Sequence, residues 1–183
     1  MLMAAFPSLR KYEQELRDFR SQKRQAERLA ARALLCDVLG ESATICYTPE
    51  GRPYLADATA NQLGAQHLSI SDTGPFVALS LSAEPHGIDI ERYDPRALKL
   101  APRFLSDSEC SEFSLSARTA TLLWSAKEAV FKRLEQQEGL TVSHIVLSRE
   151  SDEMLRATVP GHPQPVRVGY AYMPDFVLTY TLD

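Results

Sequence analysis

The chain has 183 residues, of which 44% are hydrophobic and 24% charged, with a formal net charge of −4. That suits one sizeable domain, or two small halves sharing a core, and no stretch approaches the ~20 apolar residues of a membrane span. Three scattered cysteines (Cys36, Cys46, Cys110) and four scattered histidines (His67, His86, His144, His162) argue against a disulfide framework or a zinc site. Any metal would be held by carboxylates, which favours magnesium, manganese or calcium. The opening run Met1–Phe6 is cut short by Pro7 and lacks a basic n-region, so a cytoplasmic location is expected.

In chain order, Leu9 to Leu39 reads as a helix. From Ala26 onward, Leu29, Ala33, Cys36 and Leu39 follow helical spacing, and Gly40 is a natural stop. Up to Leu35 there are eight basic and four acidic residues, against 12 basic and 20 acidic beyond it. A basic helix on an acidic body suggests an anionic ligand or an acidic partner, although a solvated helix with Glu/Arg pairs has the same composition. Ile45-Cys46-Tyr47 reads as a short strand and Glu50–Pro53 as a turn. His67–Ser71 alternates as a strand, Asp72-Thr73-Gly74-Pro75 is turn material, and Phe76–Ser82 resumes as strand. A second turn leads into the strand Ile88–Glu91.

Ser106-Asp107-Ser108-Glu109 has the pattern of a capping box, with Phe104 and Leu105 ahead of it as a staple. A longer helix is expected from about Arg118 to Gln137, ending at Gly139. Strands are expected at Ser143–Leu147, Leu155–Val159, Val166–Tyr172 and Phe176–Leu182, the last two joined as a hairpin by Met173-Pro174-Asp175. Helix then strands, twice over, predicts an α+β fold of two similar halves with a boundary near Ile90–Arg96.

Two short stretches bear the chemistry. In Gly87-Ile88-Asp89-Ile90-Glu91, strand alternation puts Asp89 and Glu91 on one face, with Ile88 and Ile90 in the core. Carboxylates so close repel each other unless a cation lies between them; an edge strand with a polar face reads the same way. In Trp124–Lys132, Trp124, Glu128 and Lys132 recur at i, i+4 and i+8, opposite a stripe of Leu123, Ala126, Val130 and Leu134. A surface ion pair and a core tryptophan would also explain that spacing.

Together, Gly87-Ile88-Asp89-Ile90-Glu91 and Trp124-x-x-Lys127-Glu128-Ala129-x-x-Lys132 resemble the paired signature of the 4′-phosphopantetheinyl transferase superfamily. Gly51-Arg52-Pro53-Tyr54-Leu55, Leu68-Ser69-Ile70-Ser71 and Phe104-Leu105-Ser106 are similar to further segments of that family. The resemblance implies a single domain over 1–183 with approximate lobes 1–88 and 89–183. Those lobes would form a pseudo-dimer of the surfactin-activating type, each a long helix on a mostly antiparallel sheet, with the active site in the cleft between them. It implies transfer of 4′-phosphopantetheine from coenzyme A to a serine of an acidic acyl or peptidyl carrier protein, releasing adenosine 3′,5′-bisphosphate. Such carriers serve fatty-acid, polyketide or nonribosomal peptide biosynthesis.

On this resemblance Asp89, Glu91 and Glu128 would bind magnesium (or manganese), with Glu128 as general base. Lys132 would stabilise the leaving bisphosphate, and Lys127 is a lesser candidate for phosphate contact. Arg52, with Arg28 or Arg32, would meet the coenzyme's phosphates, where a bidentate guanidinium suits. Ser71, Asp72 and Thr73 stand at the family's phosphate-binding segment, but Asp72 replaces its usual histidine and would repel a phosphate. The alternative is a degenerate member that binds carrier protein or a variant donor without efficient turnover. An unrelated magnesium-dependent phosphoesterase leaves Trp124 and Gly51-Arg52-Pro53 unexplained. Nucleic acid is not expected as a ligand, because the basic helix has no stacking platform beyond Phe19. A monomer without membrane attachment is expected.

Overall fold

A computed structural model describes residues 2–49, 51–56, 67–134 and 139–182. The chain forms two compact units, one of Met1–Ile70 with Val77–Glu84, the other of Ser71–Phe76 with Pro85–Asp183.

In the first unit, α1 (Leu2–Ala5), a 3-10 turn (Pro7–Tyr12) and α2 (Glu13–Arg17) precede the long α3 (Gln22–Leu39). The helix expected over Leu9–Leu39 is therefore broken at 18–21. Ser21 is extended, and its side chain accepts the Arg24 N–H to start α3 afresh. Gly40, at φ 86°, ends it with its N–H on the Cys36 carbonyl. One face of α3 packs Ala33 and Cys36 on Leu9, Tyr12 and Leu16. Its other face packs Ala31 and Leu35 on Ile45, Leu55, Leu68, Ile70, Val77, Leu79 and Leu81. Those residues belong to the antiparallel pair β1 (Ile45–Tyr47) and β2 (Pro53–Leu55) and to the hairpin β3 (His67–Thr73) and β4 (Phe76–Ser82). The expected turn at Glu50–Pro53 gives Pro53 to β2, with Gly51 at φ 91°; Glu50 lies outside the described residues. Strand β3 runs on through Asp72 and Thr73, so the turn is tighter than composition suggested and centres on Gly74 at φ 57° and Pro75.

The second unit is an antiparallel sheet in the order β5-β9-β8-β7-β6, namely Ile88–Arg92, Phe176–Leu182, Val166–Tyr172, Met154–Thr158 and Val146–Arg149. Three helices accompany it: α4 (Pro95–Leu100), α5 (Asp107–Glu112) and α6 (Ala117–Leu134). The expected strand over Ser143–Leu147 begins later, because Thr141 and His144 cap a 3-10 turn over Val142–His144. The end of the long helix expected at Gln137 falls among 135–138, outside the described residues. The core joins Leu122, Leu123, Ala126 and Val130 of α6 to Leu147, Leu155, Ala157, Val168 and Val177 of the sheet. Burying one such aliphatic side chain contributes about 1.5–3 kcal/mol.

Two contacts fix α6 against β5 and β9. A Cβ built on Gly87 would lie 1.9 Å from the Ala129 carbonyl oxygen, so only glycine lets the two backbones approach there. Ser125 and Thr179, both fully buried, share a hydroxyl hydrogen bond of 2.9 Å. Strand β5 is at the edge of the sheet, and its outward amides meet hydroxyls: the Ile90 N–H donates to Ser71 Oγ and the Arg92 N–H to Thr73 Oγ1.

Candidate active site

Asp89 and Glu91 leave β5 on the same face, and Glu128 and Lys132 leave α6 one turn apart. Asp89 is 4% exposed. Its Oδ1 accepts from Ser71 Oγ at 2.7 Å and from Lys132 Nζ at 2.8 Å. Its Oδ2 is buried with no hydrogen-bond partner. Lys132 Nζ also donates to the Ile88 carbonyl at 3.0 Å, which leaves one of its three protons uncommitted by these two bonds. Glu91 is half-buried and takes the Trp124 indole N–H on Oε1 at 3.1 Å. The Trp124 ring is set edge-on to Phe104, 5.1 Å between centroids.

Burial first, then the negative charge of Asp89, push the Glu91 carboxyl up to about 7; Glu128 adds to the push, and Trp124 and Lys132 oppose it. Burial, then Asp89, also raise Glu128, with Lys132 opposing. The three carboxylates therefore feel one another. Among the described residues no three His, Cys, Asp or Glu side chains stand together as a finished metal nest. The donor set nevertheless suits a hard divalent cation: three carboxylates in mutual repulsion, one with a buried oxygen that lacks a donor. Asp89, Glu91 and Glu128 would hold it.

Lys127 is a correction. In place of the expected phosphate contact, its side chain is fully buried against Glu109. Nζ lies 2.9 Å from both oxygens of Glu109, also fully buried, and donates to the Phe104 carbonyl. Glu109 in turn accepts from the Ser106 N–H and hydroxyl and from the Leu147 N–H. The Ser106 capping box is present in both halves, yet its glutamate does more than cap. That second use has no local signal, since its partner lies 18 residues away.

Arg32 is likewise redirected. It is 2% exposed, with Nη2 on both Glu15 oxygens at 2.7 and 2.8 Å and its guanidinium 4.0 Å over the Tyr12 ring. These contacts tie Arg32 into the first unit, while its Nε and Nη1 are buried without a hydrogen-bond partner. Arg28 is half-buried and stacks 3.4 Å over Tyr47, with Phe19 at 5.4 Å. Arg52 is half-buried at the start of β2, its backbone paired with Thr48. Ser71 is buried with its proton given to Asp89, and Thr73 caps the Arg92 N–H. Asp72, half-buried between them, alternates to the other side of β3.

The span from just before β5 to near the end of β9 decides the family. Residues 85–180 match the family model of the 4′-phosphopantetheinyl transferase superfamily. The chain belongs to that superfamily. It is 26% identical over 138 residues to 4′-phosphopantetheinyl transferase Sfp of Bacillus subtilis (strain 168), covering 73% of this chain and 55% of that protein. It is 27% identical to 4′-phosphopantetheinyl transferase ffp of Bacillus subtilis over the same shares. Against 4′-phosphopantetheinyl transferase psf-1 of Bacillus pumilus it is 29% identical over 127 residues, 67% of this chain and 51% of that one. The chain thus spans about half the length of the curated relatives it matches. Both chemistry-bearing stretches of this superfamily member, 87–91 and 124–132, lie inside the matched span. No helix among the described residues is long and apolar enough to cross a membrane.

Proposed function

We propose that this protein moves 4′-phosphopantetheine from coenzyme A to a serine hydroxyl of an acidic acyl or peptidyl carrier protein, releasing adenosine 3′,5′-bisphosphate. The carboxylates Asp89, Glu91 and Glu128, gathered with Lys132 inside the span that the family model matches, carry this reading. In the transfer, the serine oxygen bonds to the phosphorus that bears the pantetheine, and that phosphorus loses its bridging oxygen to the departing bisphosphate. Glu128, whose pKa is raised above its ordinary value by burial and then by the charge of Asp89, takes the serine proton. Magnesium, or manganese, bound by the three carboxylates would neutralise the pyrophosphate charge and align it. Lys132 holds Asp89 and can offer its remaining proton to the leaving oxygen. Arg28 and Arg52 are the candidates for the coenzyme's phosphates. The reading includes what the resemblance implies: two related lobes with the coenzyme held between them, in a cytoplasmic monomer.

The test is mass spectrometry of apo carrier proteins from the same genome, incubated with the protein, magnesium and coenzyme A. A phosphopantetheinyl mass on one of them is expected, and no mass shift on any would sink the reading. Asp72 favours a second reading, a member that binds without turnover. Coenzyme A binding that appears only in Asp72→His, by calorimetry, would support it; tight wild-type binding would count against it.

A further inference from the structure

The two oxygens of Asp89 are treated differently by their surroundings. Oδ1 is gripped from both sides, by Ser71 of β3 and by Lys132 of α6. Oδ2 is out of water and has no donor. A carboxylate held only by chance contacts would share its donors between its oxygens. Here both donors to the carboxylate lie on one oxygen, and the other keeps its lone pairs unmatched.

Ser71 is committed to this task. Its hydroxyl has one proton, which goes to Asp89 Oδ1, and it accepts the Ile90 N–H at 3.2 Å. That proton is therefore not free for a phosphate. We propose that Ser71 is a positioning residue that fixes Asp89 through Oδ1 so that Oδ2 is presented to the divalent cation. This differs from the phosphate contact that the family resemblance implied for it. Lys132 is the second grip on the same oxygen, and Ile90 N–H ties the hydroxyl to the strand that bears Asp89. Hydrogen bonds of this kind, to a ligating carboxylate, typically change metal affinity by about 10–100-fold when removed.

The inference rests on the reading of Asp89 as a cation ligand, and its test needs no carrier protein. Manganese is titrated into the whole protein, alone and with coenzyme A, and followed by electron paramagnetic resonance. Wild type is expected to bind, Ser71→Ala to bind about tenfold or more weakly, and Ser71→Thr, which restores the hydroxyl, to recover most of the loss. Tyr170→Phe deletes the hydroxyl bond of a buried side chain on β8, away from the site; it should lower the melting temperature and leave manganese affinity unchanged. Should Ser71→Ala fail to fold, Ser71→Cys, with nearly the same volume and a weak donor, decides the question in the same way. Unchanged affinity in the Ser71 variant while wild type binds overturns this inference alone. Absence of manganese binding by wild type under both conditions overturns it together with the cation reading. Weakened binding in a protein that transfers nothing leaves the inference standing and the transfer reading refuted.

Discussion

Lys127→Met separates two roles for the first lysine of the Trp124–Lys132 stretch. The substitution removes the ammonium and keeps an apolar stem of similar length. Glu109 would remain fully buried, with three neutral donors from Ser106 and Leu147 and no counter-charge. Breaking a buried pair from one side costs about 3–5 kcal/mol. The Phe104 carbonyl loses its donor as well, so the upper half of that range is expected. For a chain of this size each kcal/mol moves the melting temperature by about 2–4 °C, which places the variant roughly 8–20 °C below wild type. Urea denaturation followed by circular dichroism gives the loss directly. The double variant Lys127→Met with Glu109→Gln should lose less than the two single losses added, because no charge is then left unpaired. A loss under about 1 kcal/mol, accompanied by a raised KM for coenzyme A, would refute the strut and restore Lys127 as a phosphate ligand.

Gly87→Ala forces a methyl group to within 1.9 Å of the Ala129 carbonyl oxygen, a backbone atom that cannot turn aside. A destabilisation of about 3 kcal/mol, at the top of the usual overpacking range, is expected in urea melts, with activity falling further than the folded fraction; wild-type stability would show that α6 does not sit so close to β5. The raised pKa of Glu91, about 7 against an ordinary 4.5, sets a direction for pH. Its folded-state pKa is above the unfolded one, so its contribution to metal-free stability is full below about 4.5 and is lost as pH rises through about 7. Cation binding needs the ionised form, so the gain in melting temperature on adding magnesium should grow from pH 6 to pH 8. In Trp124→Phe, which lacks the N–H that lowers Glu91, that growth should move to higher pH. A magnesium effect independent of pH would remove Glu91 from the site.

What the sequence makes legible here is what is local. The i, i+4, i+8 spacing of Trp124, Glu128 and Lys132 and the Ser106–Glu109 box are both present as read, because each is set by one or two helical turns. The last two strands keep their expected bounds because alternation and the Met173-Pro174-Asp175 turn agree. The break at 18–21 escaped the helical pattern because Leu9, Tyr12 and Leu16 keep turning apolar groups inward in the segment before it. Ser21 was the available signal. Lys127 and Arg32 are phosphate candidates on the family resemblance; each is paired with a carboxylate 18 or 17 residues away, a partner that no local pattern shows. Asp72-Thr73 looked like turn composition, but strand β3 needs those residues for its reach alongside β5.

An edge strand is an open invitation, since a row of unmet amides can recruit a strand from another molecule. In β5 the hydroxyls of Ser71 and Thr73 occupy the Ile90 and Arg92 amides one by one, at the two-residue interval of the pleat. Those two amides, on the strand bearing Asp89 and Glu91, are thus already met by side chains of β3. The hydroxyl that aims Asp89 thus also satisfies an amide of the edge that such recruitment would use.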